Sequence, residues 1–170
     1  MLSLWEAIRK MINYKWTKGF FSSTSELYSS EKKIGELKKE AFSTTFYGMI
    51  NESHYKFMKK SLFDSGMDIM DLKSKNIIGR ITFNSWNAKT QILLDNEKFE
   101  WKSDSFWNNK WSILEDNKKL MEFKKSGLSD GYIKATTTND LLLIIGLLSI
   151  NYYQKVAAFI IIMTSIIINS

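Results

Sequence analysis

The chain contains no proline and no cysteine, and it has a single histidine, His54. Without proline, no loop is stiffened by a fixed φ and no strand is interrupted by a missing donor. Without cysteine there are no disulfides, thiolate metal sites or cysteine nucleophiles, a usage that suits a cytoplasmic protein. One histidine and no cysteine argue against a zinc site. Any serine nucleophile would have to use His54 or a lysine as its base, and no Gly-x-Ser-x-Gly elbow or glycine-rich phosphate loop is present. His54 lies among strand residues and reads as a solvated strand position. Carboxylates do group at Asp64, Asp68 and Asp71 and at Glu115-Asp116. Asp71 and Glu115 lead into turns, and that role outweighs general acid–base pairing. The sequence therefore predicts a non-enzymatic protein with no metal and no cofactor.

Charge is also unevenly placed. The net charge of +6 belongs to the first 139 residues, because beyond them only Asp140 and Lys155 are charged and they cancel. A basic body fits an anionic membrane face or nucleic acid, and equally a solvated strand surface. Residues 1–16 hold Glu6, Arg9, Lys10 and Lys15, which leaves no apolar stretch of signal-peptide length. Leu4, Trp5, Ile8, Met11 and Ile12 recur at helical spacing, so a short amphipathic helix is expected over 1–12, on the body of the protein or on a membrane surface.

What the chain does have is a repeat. Ile34-Gly35-Glu36-Leu37, Phe42, Ile50-Asn51 and Tyr55-Lys56-Phe57 recur as Ile78-Gly79-Arg80-Ile81, Trp86, Leu94-Asp95 and Phe99-Glu100-Trp101, a constant offset of 44 (78 − 34 = 44). Met67, Ile69 and Asp71 continue the register onto Trp111, Ile113 and Glu115. Within the repeat, apolar and polar residues alternate with period two, as half-buried antiparallel strands require. Asn51-Glu52, Asp95-Asn96 and Asp116-Asn117 supply hairpin turns, since Asn and Asp tolerate left-handed backbone. Strands are predicted at 13–16, 25–29, 33–38, 42–50, 54–59, 67–72, 77–84, 89–94, 98–102, 110–115, 119–124 and 132–136. Gly35 and Gly79 occupy equivalent strand positions, which marks a bulge or a close backbone approach.

The character of the chain changes after Asn139. Residues 141–168 are apolar, broken chiefly by Asn151, Gln154 and Lys155. Leu141, Leu142, Leu143, Ile144, Ile145, Leu147, Leu148 and Ile150 have no polar face, so a helix there must lie in a protein core or in lipid. Asn139 or Asp140 is the expected N-cap. A closed barrel of about twelve strands leaves an interior that its own side chains cannot fill, and residues 141–153 are the available plug. As one helix, 141–168 would run about 42 Å, but Lys155 would sit near the centre of a bilayer at a cost of about 3 kcal/mol. For the stretch carrying Phe159, Ile160, Ile161, Ile162, Ile166 and Ile167, packing and membrane contact both stand.

Ile-Gly-x-Ile/Leu strands, aromatic-x-aromatic hairpins (Phe99-Glu100-Trp101), Trp111-Ser112-Ile113 and the apolar segment from Asp140 to Gly146 resemble the tubby C-terminal-like superfamily, in particular its small bacterial-type members. That superfamily includes tubby, the phospholipid scramblases and the LURP-one-related proteins. The resemblance covers about residues 13–153. It implies a mainly β, α+β fold: a closed antiparallel twelve-stranded barrel around a hydrophobic C-terminal central helix. It also implies work at membranes. No phosphoinositide-site residue and no calcium-binding segment carries over to this sequence.

The expected organisation is an amphipathic segment (1–12), a barrel with its helix (13–153) and an apolar tail (154–170). Phe106 and Trp107 fall in a loop, where they suit a membrane-interface anchor or a loop folded back over the barrel end. Lys110, Lys118, Lys119, Lys124 and Lys125 lie near them in sequence and are candidates to meet anionic head groups. Bases stacked on the rings beside these lysines would be a nucleic-acid reading, which rests on charge and rings alone. The sequence thus favours a cytoplasmic, membrane-associated barrel attached through its tail, with anionic lipid as partner. The alternative is a soluble binding module whose helix is wholly internal.

Overall fold

The computed structural model describes residues 11–19 and 22–168. Twelve strands precede one helix: β1 (Ile12–Lys18), β2 (Thr24–Ser29), β3 (Lys32–Lys39), β4 (Phe46–Ile50), β5 (Ser53–Met58), β6 (Gly66–Asp71), β7 (Ile77–Asn84), β8 (Lys89–Leu94), β9 (Glu97–Ser103), β10 (Lys110–Glu115), β11 (Lys118–Lys125), β12 (Asp130–Ala135) and α1 (Leu141–Ile168). The helix expected at 1–12 falls outside the described residues except at its end, where Ile12 instead opens a strand. Phe42 is also corrected. It was expected in a strand over 42–50, but β4 begins at Phe46 and Phe42 stands in the preceding loop with φ 54°.

Each strand pairs antiparallel with the next, and β1 pairs β12 from Ile12↔Ala135 to Thr17↔Asp130, so the sheet closes on itself. Closure removes both exposed edges. The period-two pattern places one row from every strand inward: Trp16, Leu27, Leu37, Phe46, Phe57, Ile69, Ile81, Ile92, Trp101, Ile113, Phe123 and Ile133 are all buried. His54 lies on the outer face of β5 and is exposed.

The 44-residue repeat is a block of four strands. β3 to β6 form one block and β7 to β10 the next. Register shifts occur at Leu27/Tyr28 between β2 and β3, at Ile69/Met70 between β6 and β7, and at Ile113/Leu114 between β10 and β11. Those bulges recur every four strands. β11, β12, β1 and β2 therefore complete the barrel as a third block, split between the two ends of the chain. Gly35 and Gly79 face two of the bulges, across from Leu27 and Ile69. A Cβ on Gly35 would collide with the Met49 carbonyl, and one on Gly79 with the Leu93 carbonyl. Both sequence readings of these glycines, bulge and close approach, describe the same crowded spot.

Residues 141–151 of α1 are buried to the last residue inside the barrel. The mid-helix Gly146, a residue that costs about 1 kcal/mol relative to alanine, is explained by the Phe123 ring, which occupies the space of any Cβ. The helix starts with the Asn139 and Asp140 carbonyls accepting from the amides of Leu142 (3.2 Å) and Leu143 (3.0 Å). The Asp140 carboxylate does not cap it as expected but accepts from Asn51 Nδ2 at 2.6 Å. Burial raises the Asp140 carboxyl above the ordinary range, against the opposing effect of Asn51. Two buried polar atoms, Trp101 Nε1 and Ser149 Oγ, find no hydrogen-bond partner among the described residues.

Candidate functional site

In an up-and-down barrel, alternate connections fall at opposite ends. The turns β2–β3, β4–β5, β6–β7, β8–β9 and β10–β11 lie at the end where α1 enters. The connections β1–β2, β3–β4, β5–β6, β7–β8, β9–β10 and β11–β12 lie at the end where it leaves.

The entry end is polar. Ser30, Glu31, Asn51, Lys75, Asp95, Asn96, Asp116 and Asn117 adopt left-handed backbone in its turns. Asp71 folds back on its own turn, accepting from the amides of Lys73 (2.7 Å) and Ser74 (2.9 Å). That is the turn role its sequence position suggested. An open cleft of about 900 Å³ lies here, lined by Asn51, Asp71, Asp95, Glu97 and Asp140 among others. Among the described residues no group of three histidine, aspartate or glutamate side chains is placed to hold a metal.

The exit end is apolar. The β3–β4 loop carries Phe42, β5–β6 carries Leu62 and Phe63, β7–β8 carries Trp86, β9–β10 carries Phe106 and Trp107, and β11–β12 carries Leu128. Phe63 is 98% exposed, Trp86 100% and Phe106 92%, and the rest are nearly as open. Single exposed apolar residues are ordinary, but a ring of them at one end of a barrel is not.

Local chemistry explains why these side chains stand clear. The Asp64 amide bonds the Ser61 carbonyl at 3.2 Å, and the Asn108 amide bonds the Ser105 carbonyl at 3.2 Å. These are one turn made twice, 44 residues apart (105 − 61 = 44). In each, the two central residues are the apolar pair, Leu62-Phe63 and Phe106-Trp107, and the central residues of a turn point away from the sheet. Further bonds stiffen the turns: Gly66 N to Asp64 Oδ1 at 2.9 Å, and Ser105 Oγ with Asn109 Oδ1 at 2.7 Å. The Phe106 and Trp107 rings meet edge to face at 5.5 Å and cover nothing else. The loop does not fold back over the barrel.

From the middle of this ring emerges α1. Residues 157–168 are exposed on every side, including Phe159, Ile160, Ile161, Ile162, Ile166 and Ile167. The helix is therefore not wholly internal, and the sequence alternative that required it to be loses its premise. The hydroxyls of Thr164 and Ser165 bond back to helix carbonyls, Thr164 to Ile160 at 3.0 Å and Ser165 to Ile161 at 2.8 Å. Those bonds leave these two hydroxyl donors satisfied without water. α1 is the one described helix long and apolar enough to cross a membrane. A collar fixes its exit: Tyr152 stacks on Phe83 at 4.0 Å and Tyr153 on Trp101 at 5.0 Å. The Tyr153 hydroxyl also bonds the Lys89 carbonyl and accepts from the Asn84 amide at 3.2 Å, at the two roots of the Trp86 loop.

Cations surround the collar. Lys18 Nζ donates to Asn151 Oδ1 at 2.7 Å, and Lys155 lies over the Phe46 ring at 5.6 Å. Burial lowers the Lys18 ammonium below the ordinary lysine value. Burial, reinforced by the charges of Lys39 and Lys18, does the same for Lys155.

The structure divides the lysines grouped from sequence. Lys110, Lys124 and Lys125 lie at the exit end, with Lys110 paired to Glu122 at 3.2 Å. Lys118 sits beside the Asp116-Asn117 turn of the entry end, and Lys119 is tied to Asp104 at 3.1 Å and Glu122 at 3.2 Å. Phe42 and Trp86 were read from the sequence as equivalent positions of the repeat, and Leu62, Phe63 and Leu128 were not singled out. The repeat offset links Leu62-Phe63 to Phe106-Trp107 and was the signal that could have found them.

No family model matches the chain, and no curated protein matches it.

Proposed function

We propose that this protein is a non-enzymatic membrane-docking barrel that sits on a bilayer with its exit end down. The single observation that carries the reading is the convergence of apolar loop tips around a naked apolar helix. Phe159, Ile160, Ile161, Ile162, Met163, Ile166, Ile167 and Ile168 together represent on the order of 10 kcal/mol of gross transfer free energy if buried. Water is a poor solvent for that surface, and the acyl region of a bilayer is a good one.

The helix sets the depth. Residues 157–168 rise about 18 Å at 1.5 Å per residue, against a hydrocarbon core of about 30 Å. The described turns thus pass one leaflet and enter the second. Trp86, Trp107, Phe42, Phe63 and Phe106 then lie at the level of the interface, where aromatic rings are favoured. Lys155, at the collar, stays at the head groups, which removes the cost of a lysine in mid-bilayer. The barrel and its plug are also what the tubby-like resemblance implies about fold, and we carry that resemblance as part of the same reading.

Flotation of the full-length protein with phosphatidylcholine–phosphatidylglycerol vesicles tests it. The protein is expected to float with the vesicles and, from cells, to resist alkaline carbonate and yield to detergent. A protein that remains at the bottom of the gradient and extracts without detergent overturns the proposal.

A further inference from the structure

The exit-end mouth is not electrostatically uniform. In the sector formed by β1 to β3, Lys18 at the end of β1 and Lys39 at the end of β3 flank the start of β2, with Lys18 across from Ser25 and the Lys39 amide on the Ser23 carbonyl at 3.0 Å. Lys155 reaches the edge of the same sector from the helix, over the Phe46 ring of β4 at 5.6 Å, where burial and the charges of Lys39 and Lys18 disfavour its charged form. Beside them lies a cavity of about 300 Å³ between α1 and the β1 and β12 side of the wall, lined by Lys18, Ser25, Lys125, Asn151 and Gln154 and floored by Leu147 and Ile150.

None of Lys18, Lys39, Lys125 and Lys155 makes an ion pair among the described residues, whereas Lys33, Lys60, Lys89, Lys110 and Lys119 all do. The one carboxylate in the described wall, Asp130, accepts from Ser126 Oγ at 3.3 Å within its own loop. Lys18, Lys39 and Lys125 are half-buried and Lys155 is exposed beside them; cations drawn together without a counter-ion are held at a cost, and an anion removes that cost. Asn151 is committed to Ser25 Oγ, the Leu147 carbonyl and Lys18, whereas the Ser25 hydroxyl, which accepts from Asn151 Nδ2 at 3.3 Å, can donate its own proton to a phosphate oxygen.

We infer that this sector is a binding site for the phosphate of a membrane lipid head group, seated between Lys18 and Lys155 at the helix exit. The inference rests on the docking reading above, which puts this mouth at head-group depth. The apolar Leu128 at the cavity rim then faces the acyl side, Lys18, Lys125 and Gln154 line the mouth at head-group depth, and Leu147 and Ile150 close the cavity toward the barrel interior. A lipid phosphate and a free phosphate share the recognising chemistry, and the position of the cavity favours the lipid.

The test compares the wild type, the double variant Lys18→Gln/Lys155→Gln and the charge-keeping Lys18→Arg/Lys155→Arg on two vesicle types. One is phosphatidylcholine alone; the other includes phosphatidylglycerol. Lysine near an anionic surface is worth about 1 kcal/mol each, or roughly fivefold per residue. The Gln double variant is expected to bind the anionic vesicles about 20-fold more weakly than wild type and phosphatidylcholine equally well, with the Arg variant near wild type. Lys73→Gln/Lys75→Gln, at the far end, should leave both unchanged. Equal binding of wild type and Gln variant to anionic vesicles overturns the site while leaving docking intact. Failure of the wild type to bind either vesicle overturns docking and the site with it. Inorganic phosphate at constant ionic strength gives the remaining arm. If it raises the thermal midpoint of wild type but not of the Gln variant, and vesicle binding is charge-independent, the ligand is free phosphate and the lipid assignment is wrong.

Discussion

The two ends of this barrel are made by the same device, a chain turning back on itself between antiparallel strands, yet they have opposite surfaces. At the entry end the turns are short and polar, with Asn51, Asp95, Asn96, Asp116 and Asn117 in left-handed backbone. At the exit end the loops are longer and place Phe63, Trp86, Phe106 and Trp107 in the open. Barrel stability explains the first end and not the second. A turn needs residues that fit its φ and ψ; it does not need tryptophan at its tip. The difference teaches that turn chemistry accounts for the polar end alone, and the docking we propose is our account of the apolar one.

The largest expected effect comes from the helix outside the barrel. Ile162→Asp/Ile166→Asp places two carboxylates in the turns we propose to insert, at about 3 kcal/mol each, so vesicle affinity should fall more than about 1000-fold. The thermal midpoint should hardly move, because both positions are already in water. A large loss of stability would mean that the projecting turns pack on the protein after all.

Inside the barrel the same helix should respond in the opposite way. Leu148 is fully buried, and Leu148→Ala is expected to cost about 2–5 kcal/mol in urea unfolding. The folded fraction should bind vesicles normally.

Next come the loop tips. Trp86→Ser/Trp107→Ser should weaken vesicle binding by about 10- to 100-fold, each ring giving up part of the 1.5–3 kcal/mol of a buried large side chain. Substituting Asn96→Trp at the polar end should add no affinity. A gain there would erase the distinction between the ends.

The smallest effect concerns pH and the wall between the ends. Arg80 bonds Asp64 at 2.5 Å and Asp68 at 2.6 Å, and the Arg80 hydrogen bond, helped by the Gly66 amide, holds the Asp64 carboxyl down to about 2. A depressed carboxyl stabilises the fold above its unfolded value of 3.8 and loses that contribution as pH falls toward 2. Asp64→Asn should be less stable than wild type at neutral pH and converge with it in acid, as followed by thermal melts. The effect is modest because the pair is only part-buried and Arg80 remains about a third exposed, so solvent still screens it.

Much of the fold was legible in the sequence. All twelve predicted strands are present, with β4 starting four residues later than expected, because a half-buried strand writes its two faces into alternate residues. The third block was not legible, since its strands are parted between the beginning of the chain and its end. The plug was readable from composition. The polar break at Asn151, Gln154 and Lys155 set the end of the plug near residue 153, but whether the tail beyond it packs on the protein or stands naked was not legible, because it is as apolar as the buried half.

The candidate site was legible only in fragments. Phe106 and Trp107 were visible as rings in a loop, but Phe42 reads as the first residue of a strand. Leu62 and Leu128 fall between predicted strands, where nothing in the sequence alone marks them. Which end a loop occupies depends on the parity of the strands before it, and parity becomes meaningful only once closure of β1 on β12 is known.

Closure also sets a timetable. β1 waits for β12, and the stave that fills the cask is translated after all twelve of its boards. Until residues 141–151 leave the ribosome, the inward rows have nothing to rest against, so the barrel can be filled only after every one of its strands has been made.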